Sequence, residues 1–174
     1  MITTRIDGLS LRLADASDVP TILQFIRALA EYEKLLEMVV ADEAKLHATL
    51  FGDKAYAEVV IADYQGKPAG FALFFHNYST FLAKPGIYLE DLFVDPSLRG
   101  KGIGKALITY LAKLAVERDC GRLEWSVLDW NQPAIDFYQS LGAVMLHDWR
   151  INRVTGETLQ AMAAQFPAAG DRKS

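Results

Sequence analysis

Cysteine is almost missing from this chain: Cys120 stands alone among 174 residues. One thiol excludes an intramolecular disulfide, and its setting, Asp119-Cys120-Gly121, lacks the spacing of a zinc ligand set. A helical pattern ends there, which fits a packed thiol better than a nucleophile. Long apolar runs are missing too. No stretch approaches the ~20 residues of a membrane span, and residues 1–18 carry no apolar run of the kind a signal peptide needs. An excess of positive charge is also lacking. Lys and Arg number 18 against 22 Asp and Glu, a net charge of −4, which argues against nucleic acid and is compatible with a cationic partner. There are no internal repeats and no interior low-complexity linker. These absences lead us to expect a soluble cytoplasmic protein without metal, membrane or nucleic-acid partners.

What is present is apolar side chain, 51 % of the 174 residues. That is enough for one well-buried domain and short for two. A single domain is expected over residues 1–166, and the small, polar tail at 167–174 is expected to fray.

Leu9 to Leu13 alternates apolar and polar residues as an opening strand does. Ser17 or Asp18 is expected to cap a helix with Pro20 in its first turn and Ile22, Ile26 and Leu29 facing inward. The next member of that stripe is Glu33, a carboxylate either solvated beyond the core or aimed into a cleft. A second helix is expected from about Asp42 to Phe51, stopped by Gly52. Residues 56–62 and 69–75 read as strands joined by a turn at Gln65-Gly66-Lys67-Pro68, and 87–94 as the next strand. A long helix on Ile103, Leu107, Leu111 and Leu114 follows, then a strand at 122–128. Asn131 caps a helix with Pro133 in its first turn and Ile135, Tyr138 and Leu141 inward. A last strand is expected at 149–154, and a short helix from Thr155 on Leu159, Met162 and Phe166. Strands outnumber crossover helices, and a short turn joins the early ones. This predicts an α/β chain with a mixed sheet and helices on both faces.

Between the strand at 87–94 and the helix at Ile103 lies Arg99-Gly100-Lys101-Gly102-Ile103-Gly104-Lys105. A glycine-dense turn feeding a helix exposes several backbone N–H groups at the positive end of the helix dipole, and three basic side chains add to it. This is a place for a phosphate-bearing ligand. It is not a P-loop, because no Ser or Thr follows Lys105, and not a dinucleotide fingerprint, because position 105 is lysine.

The strand before the loop is broken by Glu90-Asp91. Strict alternation would put Tyr88, Glu90 and Leu92 on one face and Leu89, Asp91 and Phe93 on the other. Unpaired carboxylates are costly to bury, so these two mark a wet cleft, a cationic partner or a solvated edge strand.

The loop with Asp95-Pro96 upstream, and Asn131-Gln132-Pro133-Ala134 running on to Phe137-Tyr138, resembles the GNAT acetyltransferases. Within them the chain looks most like the spermidine/spermine (diamine) and thialysine N-acetyltransferases. That branch is suggested by residues 30–35, by Tyr88-Leu89-Glu90-Asp91-Leu92-Phe93-Val94, and by Tyr78-Ser79-Thr80-Phe81 and Leu128-Asp129-Trp130-Asn131, which lean toward thialysine. The chain departs from the family after Gly142-Ala143, where residues 144–150 are shorter than usual and hold one acid, Asp148.

The resemblance implies the GNAT fold, with a mostly antiparallel sheet, and acetyl-CoA as cosubstrate. It implies that Arg99, Gly100, Lys101, Gly102, Ile103, Gly104 and Lys105 hold the diphosphate. Leu92, Phe93, Val94, Asn131, Pro133, Ala134 and Tyr138 would lie along the rest of the coenzyme. Asn131 serves as helix cap, coenzyme contact or both. Glu90 is the implied base, directly or through water, the N–H near Leu92 the oxyanion donor, and Tyr138 the acid for the leaving thiolate. Tyr32, Glu33, Glu90, Asp91, Glu124, Trp125 and Ser126 would contact a small cationic amine. A homodimer is implied as well. A protein or amino-sugar amine, or a coenzyme-binding module without turnover, are the other readings left open.

Overall fold

Val59, Val60, Ile61 and Ala62 are consecutive in one strand and all buried. A strand dry on both faces lies between two layers. A computed structural model of the chain, describing residues 1–167, shows these layers. The chain falls into two compact units, Met1–Ser126 and a second beginning at Val127.

In the first unit, strands β1 (Ile2–Thr3), β2 (Leu9–Leu13), β3 (Glu58–Tyr64), β4 (Lys67–Ser79), β5 (Lys84–Val94) and β6 (Leu123–Trp125) form one sheet in chain order. All neighbours are antiparallel except β5 and β6, which are parallel. Helices α1 (Val19–Tyr32) and α2 (Glu43–Phe51) supply Val19, Ile22, Phe25, Leu46 and Leu50 to a core with Val59, Ile61, Phe71 and Phe93. The ring of Phe25 lies 5.5 Å from that of Phe71 and 5.6 Å from that of Phe93. Burying one such side chain stabilises by about 1.5–3 kcal/mol. On the opposite face α3 (Ile103–Glu117) buries Leu107, Leu111 and Leu114 and packs on β3, β4 and β5. Just past its end Arg118 lies over the ring of Phe74, 5.8 Å from its centroid. The expected mixed, mostly antiparallel sheet with helices on both faces is therefore present.

The expectations for α1 and for the strand at 122–128 need adjustment. Asp18 occupies the N-cap position of α1, as expected, but its side chain makes no capping bond there. Asp15 caps a preceding 3-10 turn at Ala16–Asp18, accepting from the Ser17 N–H, while Asp18 accepts from the Asp15 N–H. Asp18 is drawn away from a capping role by Arg12, whose guanidinium donates to both its oxygens at 2.8 and 2.9 Å. The expected inward stripe of α1 is present, with Ile22 buried and Ile26 and Leu29 packed half-buried on the core, and Phe25 joins it as a buried residue that the stripe lacked. The strand expected at 122–128 shrinks to Leu123–Trp125 because pairing with β5 runs only that far.

The second unit holds α4 (Gln132–Ser140) and α5 (Gly156–Ala163). Asn131 caps α4, accepting from the Ala134 N–H at 3.4 Å, and Ile135 is its buried residue. No strand forms at 149–154: that segment has no ladder partner among the described residues, and Trp149 and Ile151 are exposed. A strand needs a neighbouring edge for its N–H and C=O groups, and pattern alone does not provide one. Helix α5 starts after Thr155, as expected, but Thr155 makes no capping bond and Leu159 and Met162 are exposed, as is Phe166 beyond its end. Residues 168–174 of the expected tail lie outside the described residues.

Candidate active site

The pairing of β4 with β5 slips by one residue. Leu73 stands opposite Asp91 and Phe74 opposite Leu89, so Glu90 faces no partner. Such a bulge inserts one residue into one strand and reverses the alternation beyond it. Opposed residues share a face and consecutive ones do not. Leu89 therefore lies on the face of Phe74, and Asp91 on the face of Leu73, Phe71 and Phe93, over which α1 packs. This corrects the expected grouping: Tyr88, Asp91 and Phe93 share a face, and Leu89 and Leu92 share the other. Periodicity in a single strand carries no signal of a slip against its neighbour.

The bulge also reverses which backbone groups face which neighbour. Before it, the Ile87 N–H donates to Arg122 on the β6 side. After it, the Asp95 N–H donates to Ala69 on the β4 side. Alternation back from Asp95 turns the N–H groups of Phe93 and Asp91 toward β4, and those of Leu92 and Val94 toward the other edge. That edge is open beyond Leu89, where the pairing with Trp125 is the last. Two strands that part beneath a bulge leave donors facing a gap.

Three acids gather on the α1 side of this gap. Glu33 is the C-cap of α1, held by its N–H bond to the Leu29 carbonyl at 2.9 Å, and burial raises its pKa. Asp91 is more deeply desolvated, and burial first, then the charges of Glu90 and Glu33, push its pKa up to about 6. Glu90 itself is exposed. Among the described residues no cation is bonded to any of the three. The side chain of Glu124 accepts from Asn77 at 3.3 Å, and Ser126 shares a hydrogen bond of 2.8 Å with the Tyr88 hydroxyl. Glu124 stands opposite Tyr88 on the Asp91 face, whereas Trp125 stands opposite Leu89 and so on the other. Tyr88, for which the sequence alone suggests no role, is joined to this group by its bond to Ser126.

Past β5, Asp95 caps a 3-10 turn at Pro96–Leu98 through bonds to the Ser97 N–H and hydroxyl. Gly100 and Gly102 then take φ of +79° and +82°, open to glycine and strained for other residues. Gly102 occupies the N-cap of α3, and Ile6 packs where its side chain would be. The N–H groups from Gly100 to Lys105 find no acceptor among the described residues, and a Cβ on Gly100 would meet nothing within 4 Å. An open cradle of free amides at a helix start fits a diphosphate. Of the basic side chains, Arg99 lies over the ring of Tyr32 and Lys101 over that of Tyr64, at 4.8 and 5.7 Å. The Arg99 contact had no sequence signal.

In the second unit, Tyr138 on α4 is half-buried with its ring 5.4 Å from that of Phe137. Pro133 and Ala134 form the first turn above the Asn131 cap.

The sequence profile described as the Acetyltransferase (GNAT) family matches residues 24–143. The chain belongs to that family. The acetyltransferase is 37 % identical over 166 residues to the thialysine N-epsilon-acetyltransferase of Bos taurus, covering 89 % of this chain and 97 % of that one. It is 36 % identical over 197 residues to an L-ornithine N5-acetyltransferase of Arabidopsis thaliana, covering 87 % and 86 %. Among solved structures it resembles an integron cassette protein from the mobile metagenome of V. cholerae. That match has a TM-score of 0.76 and 28 % identity, covering 90 % of this chain and 98 % of that one. The relatives agree with the thialysine side of the branch read from the sequence. Among the described residues of the acetyltransferase, no group of three His, Cys, Asp or Glu is arranged to hold a metal ion, and no helix is long and apolar enough to cross a membrane.

Proposed function

We propose that this acetyltransferase moves the acetyl group of acetyl-CoA to a primary amine of a small diamine, polyamine or thialysine-like substrate, by direct transfer in a ternary complex. One observation carries the reading. An amide-lined anion cradle and a group of three carboxylates without a bonded cation lie at the two ends of the same strand segment, Glu90 to Val94, with Glu33 added by α1. The relatives that act on thialysine and L-ornithine, molecules with more than one amino group, support it.

Acetyl-CoA supplies an activated thioester when bound, with Gly100 to Lys105 holding its diphosphate and Leu92, Phe93 and Val94 along its arm. The chain must supply the rest. A primary ammonium titrates near 10, so roughly one molecule in a thousand is neutral at pH 7. Glu90, exposed at the bulge, takes the proton directly or through water. Asp91 and Glu33 hold the second cationic group, and Tyr32, Glu124 and Ser126 complete the acceptor pocket, while Trp125, on the other face of the sheet, stands outside it. The N–H of Leu92, turned toward the open edge, donates to the carbonyl oxygen as charge gathers there. Tyr138 gives a proton to the departing sulfur, a role that rests on the family's matching position. No step asks for a metal.

We also propose a single acetyltransferase domain over residues 1–166, supported by a family match that spans residues 24–143 and so passes from the first unit into the second, and a cytoplasmic location. We propose a homodimer as well. Val144, Leu146, Trp149, Ile151 and Phe166 are large apolar side chains left exposed, of the kind that association covers.

Mass spectrometry of products from acetyl-CoA and a panel of amines tests the reading. The expected result is mono-acetylated thialysine, ornithine or a polyamine. Acetyl-CoA binding with no product from any amine would defeat it.

A further inference from the structure

Gly86 is a buried glycine inside β5, and its backbone is not in the left-handed region. A glycine within a strand weakens it and marks a place where another group comes close. Here that group is the side chain of Asn77, which stands opposite on β4, its Oδ1 in the space that a Cβ on Gly86 would fill. Lying across this gap, the Asn77 amide donates to Glu124 on β6 at 3.3 Å. No cation is bonded to Glu124 among the described residues. Opposite Glu124 on the same face is Tyr88, its hydroxyl held by Ser126 at 2.8 Å and its ring 5.2 Å from that of Phe75. Three residues on, about 10 Å at the rise of a strand, Asp91 stands on that face as well. The face reads acid, aromatic ring, acid.

We propose that Asn77 is a positioning residue of the acceptor site: reaching over Gly86, it fixes Glu124 where that carboxylate holds a third ammonium, so that the acetyltransferase favours a triamine over a diamine. This rests on the acceptor reading above, in which both nitrogens of a diamine are already engaged. One reacts beside Glu90, and the other meets Asp91 and Glu33. A cation at Glu124 is therefore a third. The methylenes that lead to it lie along the Tyr88 ring, as the apolar stem of a lysine lies on apolar surface while its charged end stays polar. A polyamine has the same alternation as the face beneath it.

The test uses the full chain with acetyl-CoA and measures kcat/KM for spermidine, a triamine, over that for putrescine, a diamine. Taken as a ratio within each variant, the result does not depend on how much of a sample is folded. Wild type should favour spermidine. Glu124→Gln keeps the shape and removes the charge, and should lower the ratio about three- to tenfold, the scale of one half-buried charged hydrogen bond. Asn77→Ala removes the amide and Gly86→Ala displaces it with a Cβ, and each should lower the ratio about twofold, the scale of one ordinary hydrogen bond. The fall should lie in KM for spermidine. An unchanged ratio in any of the three variants, or a wild type that prefers putrescine or ornithine to spermidine, overturns the proposal. A wild type that binds acetyl-CoA and acetylates no amine defeats instead the acceptor reading beneath it.

Discussion

The first unit contains two sets of acids treated in opposite ways. At one end of the sheet, Asp18 and Asp63 both bond to Arg12, at 2.8 and 2.7 Å. Asp18 is accordingly held below its ordinary pKa, by the Arg12 hydrogen bond first. At the other end, Glu33, Glu90 and Asp91 have no bonded cation among the described residues, and Asp91 is pushed up to about 6. The first set anchors α1 to the sheet. The second costs folding energy, because burial and two neighbouring acids disfavour the ionised Asp91. Charge compensation separates them: a fold neutralises the acids it uses for itself and leaves uncompensated those that await a cation from outside.

The largest expected effect falls on the uncompensated set. Glu90→Gln should lower the kcat for the amine at pH 7 about 10²–10³-fold, with acetyl-CoA affinity unchanged by calorimetry. The deficit should shrink as pH rises, because the amine then loses its proton unaided. A deficit independent of pH would remove Glu90 as base. Tyr138→Phe should lose rate on a similar scale, and unchanged turnover would remove its acid role. In the compensated set the expected loss is stability. Arg12→Met leaves two desolvated carboxylates, and urea unfolding should show a cost of about 2–3 kcal/mol, below the value for a fully buried pair. Because the Asp18 pKa is depressed on folding, the contribution is complete above its ordinary 3.8 and is lost as pH falls through the lower folded value. Wild type and Arg12→Met should therefore converge in stability toward strong acid.

How well each set could be read from the sequence follows the same division. The glycine loop, its helix and the Asn131 cap were legible because each is local: a few adjacent residues fix the turn and the free amides. Glu90 and Asp91 were conspicuous as acids in an apolar strand. Their faces were not legible, since the bulge depends on register with β4, and periodicity within β5 is blind to it. Asp15 as cap, Phe25 in the core and Arg99 on Tyr32 were hidden for a like reason: each is decided by a partner distant in sequence or by competition for a group. The strand expected at 149–154 shows the reverse failure, a correct local pattern with no edge beside it in the described residues.

Asp91 offers a finer test, because stability and activity should move apart. Its pKa is raised on folding, so native protein holds its proton more tightly than unfolded chain, and stability declines as pH rises from about 4 to about 6. Asp91→Asn should therefore stabilise the fold at pH 8 by about 1–2 kcal/mol, while weakening the amine. A destabilised Asp91→Asn would mean that this carboxylate has a structural partner after all.

The smallest effect probes whether the three acids act as a group. Glu33→Gln should raise KM for the amine at pH 8 about two- to fivefold, the scale of one partly solvated ion pair. It should also move the acid limb of kcat/KM. Glu33 contributes to the raised pKa of Asp91, and removing its charge lets Asp91 ionise more easily, so the limb shifts to lower pH. A pH–rate profile of the two chains with one amine measures both. A limb that stays in place would mean that Glu33 and Asp91 do not sense each other, and the cluster would reduce to Glu90 and Asp91 on their own strand.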